Sequence, residues 1–133
     1  MVAAFNLFET AATGGTYTLL IEESDFLLGK ISWALGDASS LSLPLLGETG
    51  TELSVIPLVS SGESVRSFRV VGSDLILTTT QDAVLNAADV FVQSISFTHL
   101  DGPEGVETVL VLSARTPNGI LLTRVATSTV YVK

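Results

Sequence analysis

The residues with the types and spacing to do chemistry cluster between His99 and Glu107. His99 is the only histidine. A histidine base needs a hydroxyl nucleophile and an orienting acid within reach. Asp101 follows two residues later and serines are plentiful, but no Gly-x-Ser-x-Gly elbow accompanies them. At the end of a strand, His99 therefore reads as a surface or turn residue, and no catalytic residue is expected. In "LDGPEGVE", residues 100–107, the carboxylates of Asp101, Glu104 and Glu107 are oxygen ligands of the kind calcium takes. They do not follow the regular ligand spacing of an EF-hand loop, so a plain hairpin loop is the expectation and no metal is assigned. "GETGTE" and "ATGGT" carry glycines but neither lysine nor a strand–loop–helix setting, which a phosphate-binding loop requires. Arg66 and Arg69 are too few for a nucleic-acid surface. The absence of cysteine removes disulfides, thiolate zinc sites and cysteine nucleophiles. Neither a cofactor nor an enzymatic activity is expected.

The elements around these residues divide the chain unevenly. "TYTLLIEESDFLLGKISWALGDAS" predicts one helix over residues 16–38. Leu20, Leu27, Ile31, Ala34 and Ala38 recur at helical spacing, and Leu19, Phe26 and Trp33 form a second stripe beside them. Both stripes are expected to pack on a sheet. The opposite wedge holds Gly29, Ser32 and Gly36, small residues that permit close approach of another helix. The "TGG" at residues 13–15 predicts a break, so residues 1–15 read as a flexible remnant and 16–133 as one domain.

From residue 41 onward the pattern becomes short apolar or alternating runs between turn residues. "SLSLP", "TELSVIPL", "SVRSFRVV", "DLILTTT", "ADVFVQSISFTHL", "VETVLVLSART" and "GILLTRVATSTVYVK" predict about six or seven strands, with tight turns at "GS" and "PNG". "TQDAVLNAAD" reads as loop or a single helical turn. The expected fold class is α+β, with the amphipathic helix laid across one antiparallel sheet.

Composition narrows the partners. Charged residues are 15% of the chain and the net charge is −8, a balance that disfavours nucleic acid and anionic lipid headgroups. The mean hydropathy of +0.54 is high, yet no run of about 20 apolar residues is present. "MVAAFNLFET" has neither the basic start nor the apolar stretch of a signal peptide, and reads as a cut edge from which an upstream segment has been removed.

The order of segments resembles a known family. "EESDFLLGKISWAL" leads to "SSLSLP" and "GTELSVIPL", then "RSFRVVGSDLILTTT" and "ADVFVQSISFTHL", and the chain closes on "RVATSTVYVK". This layout, over residues 16–133, is similar to the periplasmic part of prepilin-type proteins: type IV pilins and type II secretion pseudopilins, especially minor subunits. The resemblance implies a pilin-like fold and a structural subunit of a pilus or pseudopilus filament. It implies partners that are other pilin-like subunits, and an inner-membrane anchor through an apolar helix that precedes this sequence. It places the protein in the cell envelope, membrane-anchored before assembly and extracytoplasmic afterwards. Gly29, Ser32 and Gly36 become the contact with a neighbouring subunit. The cleavage motif and early acidic residue of the family have no counterpart here. The alternative reading is a secreted β-rich binding module for carbohydrate or a surface partner.

Overall fold

The computed structural model describes residues 2–36, 38–57, 65–79 and 81–131, with side chains from Gly15 onward. Asp37, Leu58, Ser64, Thr80, Val132 and Lys133, which the sequence reading assigns to the helix or to strands, lie outside the described residues.

Helix α1 (Val2–Gly36) opens the chain. At 1.5 Å per residue it is about 52 Å long. It runs through Gly14 and Gly15, so the expected start at Thr16 is corrected: the boundary between 15 and 16 falls inside the helix. Two glycines cost about 1 kcal/mol each relative to alanine, and the flanking Ala, Leu and Phe residues are able to carry a helix across them. At its other end α1 stops at Gly36, and Ala38 opens a strand instead of closing the helix. The serines that follow bond to backbone outside a helix: the Ser39 hydroxyl donates to the carbonyl of Ile56 at 3.0 Å.

Nine strands follow among the described residues: β1 (Ala38–Leu43), β2 (Thr49–Gly50), β3 (Leu53–Pro57), β4 (Arg66–Val71), β5 (Asp74–Thr78), β6 (Asp82–Val84), β7 (Phe91–Asp101), β8 (Glu104–Arg115) and β9 (Leu121–Tyr131). They form two antiparallel sheets, ordered β1-β3-β4-β5-β6 and β2-β7-β8-β9. The expected pilin-like α+β arrangement, one sheet under a helical cover, is therefore corrected. The molecule is predominantly β, with α1 as the one helix among the described residues. The physical reason is area. One helix presents a single apolar stripe, whereas each sheet here has an apolar inner face of its own. Leu53, Val55, Phe68 and Leu75 of the first sheet and Val92, Ile95, Phe97, Val106, Leu110 and Leu112 of the second are buried in one cluster with Leu20, Leu27, Ile31, Ala34 and Leu35 of α1. The stretch expected as loop or helical turn holds β6, which pairs with β5 through Ile76–Val84 and Thr78–Asp82.

Register decides which side chains enter the core. On β8, Val106, Thr108, Leu110 and Leu112 are buried while Glu107, Val109 and Val111 are less so, the alternation of a one-faced strand. On β7 the pairing shifts between Val92 and Ser94, so Gln93 is the extra residue of a β-bulge. The shift carries burial from the even position Val92 to the odd positions Ile95, Phe97 and His99. Gln93 itself donates to the Ser113 hydroxyl at 2.6 Å. Gly105 is required where β8 meets the end of β9: a Cβ there would lie 2.7 Å from the Val130 carbonyl oxygen.

Polar groups tie the pieces together. The Glu23 carboxylate accepts from the Ala87 amide at 3.1 Å, and Arg124 Nε donates to the Ser24 hydroxyl at 3.1 Å. These two bonds fasten opposite flanks of α1, one to the segment before β7 and one to β9. Asn86 is a second node. Its Oδ1 accepts from the Leu75 amide at 2.8 Å, and its Nδ2 donates to the Val90 carbonyl at 2.8 Å and the Asp74 carboxylate at 3.2 Å.

Candidate functional site

Residues Phe26, Lys30 and Trp33 stand four and three apart on α1, a spacing that puts them on one face. By the helical repeat of about 100° per residue this face is rotated well away from the buried stripe. Phe26 and Trp33 are each 49% exposed. Half of each side chain is thus open to solvent, and Trp33 meets the first sheet through Arg66 of β4. Leu19, the first member of their stripe, is partly buried against the core.

Cations hold the aromatic face in place. The Arg66 guanidinium, buried at the start of β4, lies 4.3 Å from the Trp33 ring centroid. Lys30 Nζ sits 5.6 Å from the Trp33 ring and 5.9 Å from that of Phe26. Such contacts contribute about 0.5–2 kcal/mol each, more where the cation is desolvated. Asp25, Phe26, Gly29, Lys30 and Trp33 line a shallow depression of about 330 Å³. It has aromatic walls, a cation, and one carboxylate at its rim. It offers apolar and cation–π contact.

The other sequence-derived candidates occupy different places. Leu20, Leu27, Ile31 and Ala34 are buried between α1 and the sheets, and Ala38 lies in β1. Gly29 and Gly36 are on the side of the helix away from the sheets, where an added Cβ meets nothing within 4 Å; Ser32 is half-buried. Asp101 and Glu104 are paired across the β7–β8 turn, but Glu107 alternates onto the other face of β8. The three carboxylates therefore do not converge, and among the described residues no group of three or more His, Asp or Glu side chains is placed to hold a metal ion. Arg69 and Arg66 point to opposite faces of β4, and Arg69 is engaged by Thr78 and Asp82.

No protein-family model, curated protein or solved structure matches this chain.

The expected surface or turn position of His99 is corrected: it lies inside β7, on the face turned to the core. It is 4% exposed, with Nδ1 at 2.9 Å from the Pro44 carbonyl oxygen and Nε2 at 2.7 Å from the Glu104 carboxylate. Its backbone bonds Gly47 and Glu48 as well, so one residue fastens the β1–β2 connection to β7. Both ring nitrogens are taken, and neither faces a nucleophile. Replacing His99 with alanine is expected to lower stability by about 2 kcal/mol, because the buried Pro44 carbonyl loses its partner. Urea unfolding followed by circular dichroism measures it.

Lys30 is legible as a site residue from its spacing to Phe26 and Trp33. Arg66 is not: its place under Trp33 depends on β4 folding back to α1, which leaves no local trace in the sequence.

Proposed function

We propose that this chain is a structural subunit of a type IV pilus or type II secretion pseudopilus filament in the cell envelope, assembled through α1 with other pilin-like subunits. The observation that carries this reading is the helix. It is 35 residues long, leads the chain, and presents Phe26 and Trp33 half exposed beside the open backbone at Gly29 and Gly36. A rod with one flank sealed and one flank both aromatic and small is suited to stacking against neighbouring rods. The two-sheet body contributes nothing to the reading. No helix among the described residues is long and apolar enough to cross a membrane. The proposal includes an inner-membrane anchor in a segment upstream of this sequence. The genomic reading frame is expected to extend before Val2 by about 20 apolar residues preceded by a short basic leader. A frame that starts within a few residues of Val2 overturns the proposal. Replacing Phe26, whose ring meets only Lys30 among the cations, with alanine is expected to abolish filament incorporation while moving the melting temperature by only a few degrees.

The same exposed pair favours a second reading, a secreted module that binds carbohydrate or a surface partner. Trp33 is the sole tryptophan, so its fluorescence reports directly on this face. A saturable emission shift with a glycan supports this reading. A flat response across a glycan panel removes its carbohydrate form.

A further inference from the structure

The two sheets have four edges, and three of them are blunted. Strand β1 carries two register shifts, β2 has 2 residues and β6 has 3. Short and irregular edges resist pairing with another chain. Strand β9 is different: 11 residues long, in unbroken register with β8, and free of proline. Arg124 is its one charged residue, in a chain of net charge −8. No other described strand lies beyond it in the sheet.

Register identifies which backbone groups face outward. The Thr116 amide bonds the Ile120 carbonyl at 2.7 Å, which makes 116–120 a hydrogen-bonded pair at the head of the β8–β9 ladder. Hydrogen-bonded and non-hydrogen-bonded pairs alternate in an antiparallel ladder. The even residues from Leu122 to Val130 therefore bond β8. The N–H and C=O groups of Leu121, Thr123, Val125, Thr127, Thr129 and Tyr131 point away from it. The side chains of these same six residues are exposed on the outer face, Val125 at 62% and Tyr131 at 58%.

We propose that β9 pairs antiparallel with β9 of a second copy of this chain, about a two-fold axis at Ala126, joining two four-stranded sheets into one of eight strands. The strand is self-complementary in that register. Val125 faces Thr127, Thr123 faces Thr129 and Leu121 faces Tyr131, all uncharged strand formers. The odd residues meet odd residues, so the outward backbone groups of both strands are satisfied together. On the other face Ala126 meets Ala126 at the axis, where a small side chain suits a close pair, and Arg124 meets Ser128, so no like charges oppose. Tyr17 and Ile21, 42% and 41% exposed, lie seven and three residues before Ser24 on the α1 flank that Arg124 fastens to β9. The second copy's helix, brought alongside, covers them. This contact is independent of the filament reading, since it uses the sheet edge and not α1's aromatic face.

Analytical ultracentrifugation tests it. The wild-type chain is expected to sediment as a dimer of twice 13.9 kDa. V125K/T127K places lysines opposite one another across the axis and is expected to raise the dissociation constant at least about tenfold. Mixing that variant with V125E/T127E restores a dimer between them. In a chain without native cysteine, V125C mixed with T127C is expected to form a disulfide-linked dimer under mild oxidation, and either variant alone is not. A wild-type chain that stays monomeric at millimolar concentration overturns the proposal, as does a folded V125K/T127K chain that dimerises undiminished. If that variant does not fold, the cysteine pair decides: no cross-link in the mixture overturns it. A dimer that never enters filaments upholds this contact and removes the filament reading.

Discussion

Replacing Phe97 with alanine is expected to lower the stability of this protein by about 4 kcal/mol, within the range for buried aromatic truncation. Phe97 is 0% exposed and stands on β7, paired with Gly50 of β2 on one side and with Thr108 of β8 on the other. It belongs to the one buried cluster that α1 and both sheets share. The long ladder with β8 restrains collapse into the space a phenyl ring leaves, so most of the cavity cost is retained. Urea unfolding monitored by circular dichroism and by Trp33 emission measures the loss. The two probes are expected to shift together, because Trp33 sits on the helix whose inner stripe shares that core. A loss below about 1 kcal/mol means that the two sheets do not close over Phe97.

Replacing Asn86 with alanine is expected to cost about 3 kcal/mol, although no apolar core residue is touched. Asn86 is 7% exposed and lies in the connection between β6 and β7. Its amide is used at both ends: the oxygen takes the Leu75 N–H, and the nitrogen serves the Val90 carbonyl and the Asp74 carboxylate. Alanine leaves a buried donor and a buried acceptor without partners, and each unsatisfied group costs about 1–3 kcal/mol. Asn86→Asp is expected to be about as damaging, since every group around Nδ2 is an acceptor and a carboxylate offers none of them a proton. Hydrogen exchange provides the sharper reading. The Leu75 amide is expected to lose protection in both variants, while amides along β8 fall only with global stability.

What could be read from the amino-acid sequence depended on range. Strands β7, β8 and β9 show as alternating or apolar runs because period-two burial is a property of neighbouring residues, as Ile95, Phe97 and His99 illustrate. The stripe of Leu20, Leu27 and Ile31 shows for the same reason at period 3.6. Strand β6 escapes because Asp82, Ala83 and Val84 are too few to display a period, and all three are exposed. The division into two sheets has no local signature, since it is set by which strands pair across tens of residues. Trp33 marks the limit of hydrophobicity as a guide. An indole satisfied by Arg66 from another element is as apolar on paper as one sealed in the core, and only the cation's arrival distinguishes them. Asn86 was hidden similarly, because nothing in "LNAAD" announces that its amide will meet the backbone of a strand eleven residues earlier.

The single extra residue at Gln93 has a consequence for how this chain can change over time. Upstream of it β7 sends even-numbered side chains inward, and downstream it sends odd-numbered ones. The bulge absorbs that residue: without Gln93, Val92 opposite Leu112 and Ser94 opposite Val111 become neighbouring pairs of an ordinary ladder, and Ile95, Phe97 and His99 keep facing the interior. Loss of that one residue is therefore tolerable in mid-strand, at the expense of the Gln93–Ser113 bond, whereas the same change at Ser96, inside the regular ladder, sets the residues beyond it out of step with β8.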